Sequence, residues 1–223
     1  MNEVRDPRSD RLLDAARQLG LPLEPASVTR LLGYLGLLQR WNATYNLTAV
    51  RDPEEMLVQH LFDCLAVIQP LRRVGRDRGR LLDVGSGGGL PGVVIAALCP
   101  DWQVVCVDTV GKKAAFIQQA ALELGLSNLR SEHARVENLS LPAFDVITSR
   151  AFSSLPDFVR LTRRHLAKEG VWMAMKGKRP DDELDSLAKD VDVFHVEQLK
   201  VPFLDADRCI VWMHPRTTTS EDS

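Results

Sequence analysis

The glycine-rich stretch LLDVGSGGGLPG, residues 81–92, constrains the fold of this chain more than any other feature. The largely apolar residues 81–84 are typical of a buried strand, and Pro91 suits the first turn of a helix. Glycines between the two let the backbone adopt positive φ and let a ligand approach the main chain. The stretch therefore predicts a strand, a turn that binds a nucleotide-like ligand, and a helix. A tight turn without a ligand is the alternative, but so many glycines would then lose backbone entropy without compensation.

After this turn, segments with strand and helix patterns alternate along the chain. Strands are predicted at residues 80–84, 103–107, 129–132, 144–149 and 171–175, with helices at 91–98, 112–124 and 155–166. Two further strands, at 193–201 and 208–214, flank the turn LDAD. Because strand–helix alternation gives a parallel sheet covered on both faces, we expect an α/β, doubly wound, mostly parallel sheet with an antiparallel C-terminal edge strand.

The region before the glycine-rich stretch has helical patterns only. Apolar residues three and four positions apart, over 12–19 and 28–38, predict two amphipathic helices separated by LGLPLEP. The sequence DPEE, beginning at Asp52, predicts the N-cap of a third helix that runs to about Ile68. We divide the chain into an N-terminal helical extension (1–71), a sheet domain (72–216) and a disordered tail, TTTSEDS (217–223).

Composition restricts the partners and the environment. The 223 residues include 45% hydrophobic and 26% charged side chains, as in ordinary globular proteins, and the net charge is −2. A nucleic acid would therefore have to be held by local basic patches. The four cysteines form no CxxC pair and have no histidine at metal-ligand spacing, so we expect no metal site. We find neither a signal peptide nor an apolar run of about 18 residues, which favours a cytoplasmic location.

The glycine-rich turn satisfies two nucleotide-binding patterns. Gly87, Gly89 and Gly92 spell GxGxxG, the dinucleotide fingerprint, with Asp108 at a suitable distance downstream. Starting from Asp83, the same stretch spells DxGxGxG, which resembles motif one of the class I S-adenosylmethionine methyltransferases. A carboxylate at Asp83 would face the pyrophosphate of a dinucleotide but attract an ammonium and a sulfonium, so S-adenosylmethionine is favoured. Asp108 suits either ligand as an acceptor for ribose hydroxyls; capping the following helix is its alternative role.

Seven segments occur in order along the chain: WNATYNLTAVRDPEEMLVQHLFD, LLDVGSGGGLPG, DTVGKKAAFIQQ, ARVE, FDVITSRAFSSL, MKGK and FLDADRCIVW. Together they resemble the glucose-inhibited division protein B family, bacterial methyltransferases of a guanine N7 in 16S ribosomal RNA. The resemblance extends from about Arg11 to His214. It implies a class I methyltransferase (Rossmann-like) fold, S-adenosylmethionine as the cofactor, and 16S ribosomal RNA or the small ribosomal subunit as the partner. We also expect a monomer.

The resemblance implies most of the cofactor contacts, and the loop pattern adds Gly87 and Asp108. Together the expected contacts are Gly85, Gly87, Leu90, Asp108, Val136, Glu137 and Arg150. Several of them follow the ends of predicted strands, where ligands bind in open parallel sheets. A helix cap or an ion pair is the alternative role of the Glu137 side chain. Arg150 is also the candidate catalytic residue, acting by positioning.

We expect no general base. The lone pair of guanine N7 is free at neutral pH and attacks a methyl group without first losing a proton, so positioning and desolvation can supply most of the rate. The fourth strand lacks the NPPY sequence of exocyclic-amine methyltransferases, and the fourth and fifth strands lack a cysteine for addition to a pyrimidine. A small-molecule methyltransferase and a non-catalytic dinucleotide-binding module are the competing interpretations.

Three basic clusters are candidates for RNA contact, and we expect them to flank one edge of the cofactor site. They are Arg72, Arg73, Arg76 and Arg78 in the linker, Arg163 and Arg164 on the helix after the fourth strand, and Lys176 and Lys178 after the fifth. Solvated faces are the alternative. Asn42, Asn46 and Thr48 are expected to line the cleft rather than only satisfy a turn. His60 and Asp63, one helical turn apart, are expected to form a packing pair, with a catalytic pair as the alternative.

Overall fold

The computed structural model describes residues 6–74 and 76–216, so the predicted disordered tail, 217–223, lies outside the described residues. The N-terminal extension consists of α1 (Pro7–Gln18), α2 (Pro25–Tyr45), α3 (Pro53–Met56), a π-helical turn (Leu57–Phe62), α4 (Asp63–Leu65) and α5 (Ile68–Arg72). The two amphipathic helices predicted from apolar spacing are α1 and α2. Their apolar side chains, such as Leu12 and Leu35, are fully buried in one cluster.

The third predicted helix begins where the sequence indicates but does not continue as one regular helix. The Asp52 side chain accepts hydrogen bonds from the N–H groups of Glu54 and Glu55, which confirms the N-cap. The chain then widens into the π-helical turn, where the N–H of Asp63 donates to the carbonyl of Val58, five residues back. No glycine or proline lies in this turn, so no helix-breaking residue indicates the widening, and the apolar pattern does not indicate it either.

Among the described residues, seven strands form one sheet in the order β3-β2-β1-β4-β5-β7-β6. They are β1 (Gly79–Val84), β2 (Trp102–Asp108), β3 (Leu129–His133), β4 (Phe144–Ser149), β5 (Leu166–Lys176), β6 (Val191–Gln198) and β7 (Cys209–Pro215). β1 to β5 pair in parallel, and β7 is antiparallel to both β5 and β6. The predicted fold class, a mostly parallel sheet with an antiparallel C-terminal strand, is confirmed. That strand lies one place in from the edge, because β6 pairs with its outer side.

Helices cover both faces of the sheet. They are α6 (Gly92–Leu98), α7 (Gly111–Glu123), α8 (Leu155–Thr162) and α9 (Asp181–Asp185), with 3-10 turns at Val136–Asn138 and Arg163–His165. Leu81 points into the cluster formed with α6, α7 and the N-terminal helices, and its neighbour Leu82 into the cluster formed with α8. This alternation follows from the two-residue period of a strand. α9, the acidic segment DDELD, was not predicted.

The helical extension packs on the sheet domain through aromatic side chains. The ring of Phe116 on α7 lies 6.0 Å from that of Tyr34 and 5.6 Å from that of Trp41, measured between centroids, and both partners belong to α2. The division at residues 71 and 72 stays a prediction, since apolar side chains from both parts share one cluster.

Two features are absent from the described ranges, 6–74 and 76–216. No helix there is long and apolar enough to cross a membrane. No group of three or more His, Cys, Asp or Glu side chains there is placed to hold a metal ion.

Candidate active site

The glycine-rich turn links the carboxyl end of β1 to α6 and folds over the end of β2. The N–H groups of Gly85 and Ser86 both donate to the carbonyl of Val107, at 2.9 and 3.2 Å. Gly87 has φ of +58°, and a Cβ added to it would meet nothing within 4 Å. A glycine is therefore required there by the backbone conformation, and the space in front of it is open to a ligand.

Two carboxylates hold the turn from below. Asp83 Oδ2 accepts a hydrogen bond from the N–H of Gly92 at 2.9 Å. Asp108 Oδ2 accepts from the N–H of Gly87, and its Oδ1 from the N–H of Val110, both at 2.9 Å. Val110 is the N-cap residue of α7, so Asp108 both braces the turn and orders the start of the next helix.

The sequence pattern predicted that the Asp83 carboxylate would face the ligand. In the structure, Asp83 does not contact the space that a ligand would occupy. It is completely buried, and its Oδ1 has no hydrogen-bond partner among the described residues. Burial raises the pKa of Asp83 to about 7, and the bond from Gly92 opposes that shift. The carboxylate acts mainly on the backbone of the turn, and any effect of its charge on a ligand must pass through the loop.

A trough of about 350 Å³ lies beyond the carboxyl ends of β1, β2 and β3. Four of the predicted cofactor contacts line it: Gly85, Asp108, Val136 and Glu137. Gly87 lies beside it in the same turn. The side chain of Leu90, in contrast, is buried in the core below the turn. Among the lining residues that were not predicted are Lys113, whose Nζ is 3.9 Å from Asp108 Oδ2, and the aromatic Phe152.

Arg150 follows the end of β4, and we expected it to contact the cofactor. In the structure, however, it does not line the trough. Its Nη1 donates to the carbonyl of Gln59 at 3.0 Å and to Asp63 Oδ2 at 3.3 Å. Asp63 Oδ1 accepts a second arginine, from Nε of Arg208, at 2.8 Å. The Asp63 side chain is 4% exposed, so a buried carboxylate joins two guanidinium groups from distant parts of the chain.

The π-helical turn explains how Gln59 can take part. Since the N–H of Asp63 donates to Val58 rather than to Gln59, the carbonyl of Gln59 is not used in the usual helical bond to Asp63 and accepts Arg150 instead. Such widened turns are frequent at functional sites. The extension therefore supplies both acceptors that hold Arg150, and the apolar pattern of its sequence does not indicate them.

His60 and Asp63 do not form the expected packing pair, because each side chain has other partners. His60 Nε2 lies 2.9 Å from Thr48 Oγ1, and its Nδ1 is buried without a hydrogen-bond partner among the described residues. Burial, aided by the charge of Arg150, lowers the pKa of His60 to about 4. The imidazole is thus neutral at pH 7, with one ring nitrogen unused.

The polar residues of the segment before α3 serve mainly the turn itself. Asn42 Oδ1 accepts from the N–H of Thr48 at 2.9 Å, and Asn46 adopts φ of +49° at the end of α2. This differs from the expectation that they line the cleft. Tyr34 was not among the residues predicted for the site. Its hydroxyl donates a hydrogen bond to the carbonyl of Gly88 at 2.7 Å and so connects α2 to the glycine-rich turn.

Comparison with known proteins decides the family. The family model GidB, described as rRNA small subunit methyltransferase G, matches residues 27–211. A protein of Leptothrix cholodnii, ribosomal RNA small subunit methyltransferase G, is 61% identical over 96% of this chain and 99% of its own length. A protein of the same name from Acidovorax sp. strain JS42 is 60% identical over 92% of this chain and 94% of its own. The chain belongs to this family.

Membership confirms the resemblance found in the sequence, and with it the methyltransferase class and S-adenosylmethionine as the cofactor. Solved structures agree in fold. The glycopeptide N-methyltransferase MtfA, complexed with S-adenosylhomocysteine, has a TM-score of 0.57 over 69% of this chain and 89% of that chain, at 12% identity. TrmN from Thermus thermophilus has a TM-score of 0.54 over 71% of this chain and 53% of that chain, at 21% identity. At these identities the likeness shows the fold alone.

The basic clusters do not flank one edge of the site, contrary to expectation. Arg76 pairs with Asp145 near the start of β4 at 2.9 Å, and Arg163 pairs with Asp190, just before β6, at 2.9 Å. Both contacts lie at the amino ends of the strands, opposite the trough, because a helix that follows a parallel strand returns the chain to that end. Arg72, Arg78 and Arg164 share this location: Arg72 reaches the carbonyl of Leu98, Arg78 directly precedes β1, and Arg164 reaches the carbonyl of Leu139.

The other members of the clusters are placed differently. Arg73 pairs with Glu197 near the end of β6. Lys176 and Lys178 lie at the carboxyl end of β5, beside the site. Lys176 Nζ is bound to Glu183 at 2.8 Å, whereas Lys178 is exposed.

Proposed function

We propose that this chain transfers a methyl group from S-adenosylmethionine to N7 of a guanine in 16S ribosomal RNA. The observation that carries the proposal is identity of 60% or more, over nearly the full length of both chains, to relatives named ribosomal RNA small subunit methyltransferase G. A dinucleotide-binding module and a small-molecule methyltransferase are less well supported, because neither accounts for similarity that includes the helical extension.

The trough fits the cofactor. Its volume of about 350 Å³ lies within the usual range for small-molecule sites. Each oxygen of Asp108 accepts one backbone hydrogen bond and retains a second lone pair, which can accept a ribose hydroxyl. Gly85, Gly87, Val136 and Glu137 surround the same space, while Leu90 would make contact through its main chain. When bound, S-adenosylmethionine supplies an electrophilic methyl group on a sulfonium sulfur.

Arg150 is proposed to act by positioning. Its Nη1 is held by Gln59 and Asp63, and its Nε and Nη2 donate to no acceptor in the part of the chain that the structure describes. Those two nitrogens present the planar fork that binds a carboxylate or a base oxygen at a defined angle. We assign them to the cofactor carboxylate or to guanine O6. Asp63 and Arg208 are positioning residues for this arginine.

No residue is required to remove a proton from guanine N7. The pKa of His60, lowered to about 4, makes its imidazole a weak base, and both oxygens of Asp63 accept from arginines, so neither group is arranged as a strong general base. The site instead supplies groups that can orient the two reactants, which is what an attacking lone pair needs.

For RNA contact we propose that Lys178, with Lys176, lies nearest the target guanine. The arginines at the amino ends of the strands would contact only RNA that extends around the protein to those ends. We propose a monomer, because the trough and the Arg150 contacts are formed within one chain. A ribosomal substrate also accords with a cytoplasmic location.

The test is methylation of 16S ribosomal RNA from cells that lack the modification, followed by mapping of the methylated base. We expect Arg150→Lys to lower turnover by about tenfold or more, because it loses the planar fork of one charge-assisted contact worth ~1 to 3 kcal/mol. Methylation at a position other than guanine N7 would contradict the proposed reaction. Wild-type turnover in Arg150→Lys, or a bell-shaped dependence of kcat on pH, would contradict the positioning mechanism.

A further inference from the structure

The loop between β6 and β7, residues 199–208, lies at the same end of the strands as the trough, the carboxyl end of the parallel strands. Gln198, the last residue of β6, is paired with Cys209, and Cys209 is paired with Lys176 at the carboxyl end of β5. The loop therefore leaves the sheet where the parallel strands end. Its last residue, Arg208, is bound to Asp63, which also holds Arg150. The loop is thus fastened to the catalytic arginine through one carboxylate.

Phe203 in this loop has an unfavourable backbone conformation and an exposed side chain. Its φ is +62°, and among the described residues only one other non-glycine residue, Asn46, has a positive φ. Asparagine tolerates that region, whereas for a bulky residue it is a genuine outlier. Phe203 is nevertheless 50% exposed, so burial of the ring does not compensate for the strain. Strain of this kind concentrates at ligand-binding sites.

Contacts with the N-terminal extension hold the Phe203 ring in place. The ring of Phe62, the last residue of the π-helical turn, lies 5.8 Å away at 45°, and the guanidinium carbon of Arg11 lies 5.1 Å from the Phe203 ring centroid. Arg11 is itself paired with Glu54. A partly exposed aromatic ring is therefore fixed against Phe62, the residue before Asp63, and it lines an open groove of about 930 Å³.

We propose that Phe203 is a stacking platform for an unpaired base that flanks the target guanine. This inference rests on the proposed function, and it deepens it by naming where the RNA lies. Proteins that recognise unpaired RNA stack its bases on aromatic side chains, and such a surface must lie at the edge where the methyl group is transferred. The formal charges of the loop balance, Asp205 and Asp207 against Lys200 and Arg208, so its charge alone would not attract RNA and the contact is one of stacking.

A matched control is present in the same molecule. Phe194 on β6 is 48% exposed, close to the value for Phe203. It lies at a shift in the β6–β7 register, but its φ is not positive and its ring stacks on His214 at 5.2 Å. The test compares Phe203→Ala with Phe194→Ala for affinity to 16S ribosomal RNA from cells lacking the modification. Binding of S-adenosylhomocysteine by calorimetry and the melting temperature are measured in parallel, and Phe203→Trp is the rescue variant.

We expect Phe203→Ala to weaken RNA binding by about 5- to 150-fold, the range for loss of one stacked base, with cofactor affinity unchanged. Phe194→Ala should bind RNA as the wild type does, and Phe203→Trp should restore affinity. Because stacking releases no counterions, the ratio of wild-type to Phe203→Ala affinity should be equal at about 50 and 200 mM salt.

Equal RNA affinity for Phe203→Ala and wild type, or equal losses in both alanine variants, would overturn the inference. So would a loss seen only with assembled subunits, which would indicate a ribosomal protein as the partner of Phe203. Failure of Phe203→Trp to restore binding, at an unchanged melting temperature, would also overturn it. Failure of the proposed function is distinct, since the wild type would then not methylate 16S ribosomal RNA at all.

Discussion

At the amino ends of the parallel strands, polar groups are paired. Arg76 binds Asp145, Arg163 binds Asp190, and Asn128 donates to three carbonyls, those of Ala96, Cys99 and Trp102, at 3.1, 3.4 and 3.0 Å. At the carboxyl ends, Asp83 Oδ1 and His60 Nδ1 are buried without hydrogen-bond partners among the described residues. Two atoms depart from this contrast: Arg80 Nε at the amino ends, where the guanidinium also lies 5.0 Å from the Phe144 ring centroid, and Ser131 Oγ in the middle of β3.

Backbone strain is distributed in the same way. Phe203, the bulky residue with positive φ, and the π-helical turn at Leu57–Phe62 both lie close to the contacts that hold Arg150. Unpaired polar groups and strained backbone reduce stability, so they persist where binding or catalysis needs them. We therefore propose that the amino ends serve stability and the carboxyl ends serve the reaction.

The largest effect is expected for the buried carboxylate at the carboxyl ends. In the unfolded chain Asp83 loses its proton near its ordinary pKa of 3.8, but in the folded protein it keeps the proton to about pH 7. The free energy of unfolding should therefore fall as the pH rises from about 4 to 7 and then level off, by an amount on the order of 4 kcal/mol. Asp83→Asn removes this dependence while retaining an acceptor for Gly92.

Denaturant unfolding of wild type and Asp83→Asn at pH 5 and pH 8 measures the effect. The contribution of His60, whose lowered pKa gives a slope of opposite sign between about pH 4 and 6.5, is common to both proteins and cancels. The advantage of Asp83→Asn should be larger at pH 8. If the free energies of unfolding of the two proteins differed by the same amount at both pH values, Asp83 would be ionised in the folded protein. It would then not be an example of a destabilising group at the carboxyl ends.

The next largest effect separates two glycines with similar backbone conformations. Gly87 in the turn has φ of +58° and Gly125, after α7, has φ of +64°, and a Cβ on either would meet nothing within 4 Å. Gly87→Val and Gly125→Val should therefore lose similar stability, about 1 to 2 kcal/mol. Only Gly87→Val should lose cofactor affinity, by roughly 100-fold or more, because its side chain occupies ligand space. Calorimetric titration with S-adenosylmethionine measures this, and equal affinities would place the cofactor elsewhere.

The smallest effect compares two carboxylates that bind arginines at opposite ends. Asp63→Asn should lower turnover by roughly tenfold, since Arg150 loses its anchor, and should add little further loss in an Arg150→Lys background. Asp145→Asn breaks the pair with Arg76 and should lower the melting temperature while leaving turnover unchanged. Steady-state kinetics of the three single variants and the double variant test this. Additive losses for Asp63 and Arg150 would mean that Asp63 does not act through the arginine.

Local signals determined much of the architecture from the sequence alone. The strand, glycine turn and helix of residues 81–98, the Asp52 N-cap and the alternating strands follow from side-chain period, positive-φ glycines and capping chemistry, all of which act over a few residues. The same signals place Gly85 and Asp108 at the trough, in the turn and at the end of a strand, whereas Val136 and Glu137 were expected there from the family resemblance.

Only the tertiary structure decided where the long charged side chains go. Arg150 turns to Asp63, 87 residues away, and Asp63 binds Arg208, 145 residues away. Such pairings depend on which elements the fold brings together, and no short-range pattern encodes them. The same holds for the arginines placed at the amino ends, for the widened turn that frees Gln59 O, and for Phe203. Their positions are set by contacts between elements, which contribute nothing to the periodicity of any single segment.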